Sequence, residues 1–324
     1  MRKFICLIFI FSLLRAGIFE ILGGQKVGTT SFVFLKIGVG AKAVAMGETF
    51  VSLADDATAC YWNPAGIAFI RNSSLCFTHT DWFLDIIYDY SSVVFPVGTY
   101  SSIGIELGGL HSGYMEETDE YHPFGTGRYF YFGDYFTGIN YARLISDRFS
   151  FGFTVKLITE ILGDLKSYGY ALDLGTLYHI GYRDIRVGVS LSNLGPDVRP
   201  QGIYQDENGV EKKYEAFSLP IVYRMGVSGF LFSNLKGAFQ IDKPSDNVET
   251  FKVGFEFTPI KNFLLRGGYR LNNRGPGRSL ISSGLSLGAG FKAKLKNKIF
   301  SLDYSISGMG YIGDVQRLSI NLEL

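Results

Sequence analysis

From Ser73 to the C-terminus, apolar residues alternate with polar or small ones in fourteen segments: 73–79, 86–95, 100–112, 129–145, 149–162, 167–179, 183–193, 218–229, 234–242, 248–257, 262–271, 279–292, 297–307 and 314–324. Phe149, Phe151, Phe153, Val155 and Leu157 alternate with Ser150, Gly152, Thr154 and Lys156, and Val253, Phe255 and Phe257 with Lys252, Gly254 and Glu256. Successive side chains of a strand point to opposite faces, so each segment predicts a strand with one greasy face. Most approach the roughly 9–11 residues that a tilted strand needs to cross a bilayer.

A soluble sandwich has the same period, and the connections separate the two. From the first strand onward every second connection is tight: Pro96–Thr99, Ser146–Arg148, Ile180–Tyr182, Phe230–Ser233, Thr258–Lys261 and the turn near Leu295 and Lys296. Those between them vary and include the long Gly113–Arg128 and Leu194–Phe217. Short turns on one rim and longer loops on the other are the pattern of outer-membrane barrels, with the short side periplasmic. The expected fold is all-β, a transmembrane antiparallel β-barrel of about 14 strands over residues 71–324.

Only the stretch from Gly38 to Ile70 escapes this pattern. It opens with Gly38, Gly40, Ala41, Ala43, Ala45 and Gly47, which let backbone approach backbone, then turns acidic at Asp55 and Asp56 before Ala57, Thr58 and Ala59. Asp56 is the expected N-cap of a short helix. Asn63-Pro64-Ala65-Gly66 marks a second start, because Asn caps well and Pro suits the first helical position. Tyr61 and Trp62 fall at the junction. The segment 18–70 is expected to plug the lumen. Ahead of it, Arg2 and Lys3, the apolar run Phe4–Leu14 and small residues at 16 and 17 predict a secretory signal peptide over 1–17.

The run Met46, Gly47, Asp55, Asp56, Ala57, Tyr61, Asn63, Pro64, Ala65 and Gly66 resembles the N-terminal signature of the PorV/PorQ family of bacterial outer-membrane proteins, which is related to the FadL family of hydrophobic-compound channels. Later stretches resemble family positions too, among them Tyr170–Gly175, Ser192–Pro196, Leu264–Arg270 and Leu302–Tyr304. The sequence departs from that pattern at Lys42, at Glu48, and at Leu324, where such barrels end in an aromatic residue. The resemblance implies a hatch inside a barrel of fourteen strands and no enzymatic activity. It also implies one of two roles. One is a component of type IX-like protein secretion that binds secreted substrates at the cell surface and passes them on to other components, through the loops Gly113–Arg128 and Leu194–Phe217. The other is a FadL-like channel for hydrophobic small molecules. Outer-membrane lipid is the partner in either case.

Composition agrees with a membrane barrel: 47% hydrophobic residues, 15% aromatic and a mean hydropathy of +0.15. Charge is balanced, 31 Lys and Arg against 30 Asp and Glu, which leaves no field to hold a nucleic acid. His79, His111, His122 and His179 lie in different segments with no ligand spacing, so no metal, cofactor or catalytic site is expected. Cys60 and Cys76 either form a bridge from plug to wall or remain two buried thiols. On the inner faces the pattern places Lys156, Asp173, Arg186, Asp242, Lys252, Glu256, Arg266, Arg270 and Asp303, expected to pair with one another and with the plug or to line a solute path. Trp82 and Phe83, in the first outer loop, are expected as interface anchors at headgroup level.

Overall fold

The computed structural model describes residues 27–205, 207–272, 284–296, 298–310 and 313–324. The expected signal peptide lies outside these. Eighteen strands follow one another: β1 (Ser74–Asp81), β2 (Ile87–Val97), β3 (Ser101–His111), β4 (Met115–Glu116), β5 (Tyr129–Phe130), β6 (Phe132–Ser146), β7 (Phe149–Leu162), β8 (Leu165–His179), β9 (Arg186–Leu194), β10 (Ile203–Gln205), β11 (Glu211–Lys213), β12 (Val222–Phe232), β13 (Leu235–Pro244), β14 (Thr250–Ile260), β15 (Phe263–Asn272), β16 (Leu285–Leu295), β17 (Lys298–Gly308) and β18 (Asp314–Glu323). Fourteen of them close a barrel of antiparallel neighbours, sealed where β1 pairs with β18 from Ser74↔Glu323 to Asp81↔Gln316. The other four form two small hairpins, β4–β5 and β10–β11, within the two long loops. Sequence alternation gives no sign of these, since each strand has only two or three residues.

Each barrel strand turns its apolar row outward. Phe151, Val155, Leu157, Phe239, Phe255, Leu287, Phe291 and Leu318 are all exposed, as lipid-facing residues of a membrane barrel should be. The opposite rows are buried, but the interior is packed rather than wet. It is filled by residues 32–70, which hold α1 (Ala41–Ala45), α2 (Ala59–Trp62) and two 3-10 segments, Val33–Lys36 and Pro64–Phe69.

Local chemistry sets these short elements in place. Asp56 does not cap α2, whose N-cap is Thr58. Instead its Oδ1 accepts from Thr58 N (3.0 Å) and closes the turn just before the helix. Asn63 caps the second 3-10 segment, accepting from Ala65 N (3.2 Å), with Pro64 at its first position. The Asn63 amide also donates to Val51 O (2.8 Å) and Thr176 O (3.0 Å), which joins the plug to itself and to β8. Cys60 and Cys76 are both buried free thiols, so no bridge links plug to wall.

Close approach does that work. Inward-facing glycines of the wall sit directly against plug backbone: Gly152 against Pro64 and Ala65, Gly188 against Val51, Gly254 against Met46, and Gly268 against Met46 and Gly47. At each of these a Cβ would overlap main-chain atoms, which cannot swing aside. Gly47 has a positive φ of 66° and its own added Cβ would strike the β14 and β15 backbone, so both sides of this contact require glycine.

The neighbouring pair Gly267 and Gly268 provides a test. Gly267 faces outward, with only Leu287 Cδ2 at 3.6 Å from an added Cβ. Gly268→Ala is expected to destabilise the barrel by at least ~1–3 kcal/mol through overpacking, while Gly267→Ala changes little. Unfolding in urea, followed by the heat-modifiable mobility of the folded barrel on gels, measures both. Equal midpoints would refute the seat.

Candidate functional site

A chain of aromatic rings runs through the lumen. Phe34 lies 6.2 Å from Phe136, Phe136 lies 6.4 Å from Tyr90, Tyr90 lies 6.3 Å from Tyr61, Tyr61 lies 5.0 Å from Trp62, and Trp62 lies 6.4 Å from Phe50. Phe136 is near the long-loop end of β6, so the column leads from the outer rim to the middle of the plug. Phe32, Leu35, Leu110, Ile158, Val198 and Leu219 fill in around it. The polar tips of two of these aromatics are satisfied: Tyr61 donates to Leu35 O (3.0 Å) and Trp62 Nε1 to Val39 O (3.0 Å).

Charges surround the column. Lys156 and Asp173, both fully buried, pair at 2.6 Å. Asp173 also accepts from Asn193 N (2.7 Å) at the bulge where β8 and β9 shift register. The Lys156 ammonium sits 5.6 Å from the Tyr61 ring centre and 5.4 Å from that of Phe136, and the Arg224 guanidinium sits 5.5 Å from Tyr61 and from Trp62. Aromatic faces attract cations, so these rings offset part of the cost of burying them. On the far side Lys252 bridges Asp242 (2.5 Å) and Glu48 (2.7 Å), Arg270 holds the other Glu48 oxygen (2.9 Å), and Arg266 joins Glu256 (2.7 Å) to Asp303 (2.6 Å). Glu48 belongs to the plug, so its two pairs tie plug to wall.

Below the plug, on the short-turn side, a cavity of about 400 Å³ opens between Asp55, Asp56, Lys42, His179, Arg186 and Lys292. Lys42 pairs with Asp55 (2.5 Å) and Asp56 (3.4 Å). The turn beside it carries Asp184, which Arg186 holds at 2.8 and 2.9 Å and Lys236 approaches to 3.3 Å. Burial pushes the Asp184 carboxyl up, but these hydrogen bonds and positive charges outweigh it and hold the group below the usual carboxylate range.

The nine inner-face charges therefore all point inward, and all take part in ion pairs: Lys156 with Asp173, Arg186 with Asp184, Lys252 with Asp242, Arg266 with both Glu256 and Asp303, and Arg270 with Glu48. Gly40, Met46, Gly47, Ala57, Pro64 and Gly66 of the plug motif serve packing and turns. Trp82 departs from the expectation of an interface anchor. It turns inward against the core, 5.6 Å from the buried Arg317 guanidinium, while Phe83 tilts against it at 5.8 Å. A cation–π contact of this kind holds the indole face toward Arg317.

Three charged residues at the column were missing from the expected set: Glu106, which accepts from Tyr90 OH (2.9 Å), Arg224 and Arg317. Strand parity alone finds Glu106, between outward Ile105 and Leu107, and Arg224, between outward Tyr223 and Met225, whereas Arg317 follows the polar Gln316.

No protein-family model matches the chain, and no curated protein matches it. Solved structures do. The toluene transporter TodX of Pseudomonas putida is 14% identical, with a TM-score of 0.60, over 88% of this chain and 96% of that one. TbuX, the toluene transporter of Ralstonia pickettii, is 13% identical with a TM-score of 0.59, over 88% and 97%. A FadL homologue of Pseudomonas aeruginosa is 12% identical with a TM-score of 0.54, over 86% and 95%. At such identity the likeness is one of fold. The barrel fold is like that of these transporters and of the FadL homologue, and the PorV/PorQ resemblance is not shown by them.

Lys156→Met strands Asp173 as a buried charge and is expected to cost ~3–5 kcal/mol. Lys156→Met with Asp173→Asn removes that charge while keeping an acceptor for Asn193 N, and should regain most of the loss. Urea midpoints of the two proteins decide. A double variant no more stable than the single one would show that the pair is not what matters.

Proposed function

We propose that the chain is a non-enzymatic outer-membrane channel for small apolar molecules, which enter at the long-loop rim and bind in the aromatic column. The outward apolar rows suit a bilayer, and the balance of short turns and long loops suits the outer membrane. The column is the observation that carries the reading. It offers ring faces and aliphatic groups in an unbroken line from rim to plug, the lining expected of a pocket for hydrophobic ligands. Structures that share the fold are described as toluene transporters.

In the structure the entrance is occupied by the chain itself. Phe32 and Phe34 lie among Phe136, Ile158, Leu110 and Val198, where a solute would sit. Residues 30–37 are held differently from the glycine-seated plug. Thr30 bridges to Ser218, and the nearly buried Asp246 accepts from Thr30 Oγ1 (2.9 Å) and pairs with Lys36. Side chains and a few polar hooks hold this segment, and among the described residues no wall glycine is pressed against its main chain as one is at Met46, Val51 and Pro64. The entry segment is the part that gives way, and Phe32 and Phe34 are the groups that a solute replaces.

A second reading keeps the fold and moves the function to the surface. In the loop between β3 and β6, Tyr114, Tyr121, Phe124 and Tyr129 are exposed by 78, 87, 97 and 62%. Exposed aromatic patches mark contact surfaces, and secreted proteins bound there would fit the PorV/PorQ resemblance.

The two readings separate by fluorescence. Trp62 and Trp82 are the only tryptophans in the chain, and Trp82→Phe leaves Trp62, buried at the inner end of the column, as the sole reporter. Bromobenzene is expected to quench it saturably, and faster in a variant that also carries Asp246→Ala. Quenching that only tracks partition into the detergent, as for a free tryptophan analogue in the same micelles, would sink the channel reading. Capture of secreted proteins that is lost on shortening the 112–131 loop would then favour the surface.

A further inference from the structure

The outer wall is not uniformly greasy. Near the short-turn rim, Gly229 of β12 and Gly237 of β13 stand directly opposite each other on the lipid-facing side. Neither glycine has a side chain of its own, and those of Ile185 and Leu231 fold in over them. An added Cβ would meet Ile185 Cγ1 at 2.9 Å and Leu231 Cδ1 at 2.8 Å, which shows how closely the neighbours fold over this floor. Val227, Leu231, Phe239 and Phe255, all outward and exposed, form the sides of a groove of about 440 Å³. That lies within the roughly 300–1,000 Å³ typical of ligand pockets.

Arg183 and Tyr182 stand at the mouth of the groove, in the turn between β8 and β9. The Arg183 guanidinium lies 5.5 Å from the Tyr182 ring centre. The adjacent carboxylate, Asp184, is taken up by Arg186 and Lys236, and among the described residues Arg183 has no carboxylate partner. One guanidinium without a carboxylate partner, that of Arg183, thus borders an apolar groove that opens sideways to the bilayer.

We propose that this groove is a binding site for one phospholipid of the periplasmic leaflet, an acyl chain lying between Val227, Leu231, Phe239 and Phe255 and its phosphate held by Arg183. Charge and shape both select this occupant. A guanidinium presents paired donors suited to phosphate oxygens, and a tyrosine beside it sits naturally at the level where ring and headgroup meet. A free apolar solute would use the groove but not the arginine. The site rests on the barrel spanning a membrane and not on what the column carries.

Native mass spectrometry of the full chain, released from nanodiscs of defined lipid, reads the site. The wild-type protein is expected to keep a single bound phosphatidylglycerol or phosphatidylethanolamine, and to keep diacylglycerol, which lacks the phosphate, about tenfold less. Arg183→Gln should lower phospholipid retention by about the same factor. Val227→Trp, which fills the groove, should abolish it. Heat-modifiable mobility verifies that each variant is folded, and the comparison of phospholipid with diacylglycerol needs no variant. Equal retention of phospholipid and diacylglycerol, or retention unchanged in folded Arg183→Gln, overturns the proposal. Failure of the wild-type chain to enter nanodiscs at all would instead overturn the membrane reading beneath it.

Discussion

A closed barrel has no room to spare around a plug of this size, and the structure depends on how near two main chains are allowed to come. Where Met46, Gly47, Val51 and Pro64 press on the wall, the wall is glycine. Removing side chains at these places lets the plug seat directly on the wall. The cost is conformational freedom, since glycine in a strand weakens it locally. Hydrogen bonds along both neighbouring strands recover the loss, and the contact then works like a key in a lock rather than a film of oil.

With the backbone in place, the remaining polar groups have to find partners, because neither lipid outside nor the packed interior offers water. That constraint explains why the inner-face charges sit in pairs and why Glu48 of the plug faces two cations of the wall. It also explains how an apolar column can pass through a charged interior. Lys156 and Arg224 turn their positive ends to ring faces, so the same aromatic groups that would greet a hydrophobic solute also quieten the nearest charges.

Much of this was legible in the chain. Period-two alternation locates every barrel strand, with 149–162 matching β7 residue for residue, because a lipid-facing row must be continuously apolar. Turn lengths reveal the two rims for an equally direct reason. What alternation cannot report is what stands inside. It marks Gly152 and Gly268 merely as small, whereas their meaning comes from a segment hundreds of ångströms of chain away in sequence terms but in contact in space. A loop position says nothing of which way the Trp82 indole turns, and its contact with Arg317 is set by the fold. Glu106 and Arg224 were open to parity, but one charge among apolar neighbours attracts less notice than a run of them.

The seam between β1 and β18 has a consequence for biogenesis. The plug precedes β1, and its Ala41 N donates to Ser319 Oγ on β18 (2.7 Å), so the first-made part of the molecule bonds to the last-made. Once those two edges join, the barrel is closed around residues 38–70. The nascent hatch must already be gathered within the curling sheet when the final strand arrives, and the closing ladder is thereby templated on its own contents.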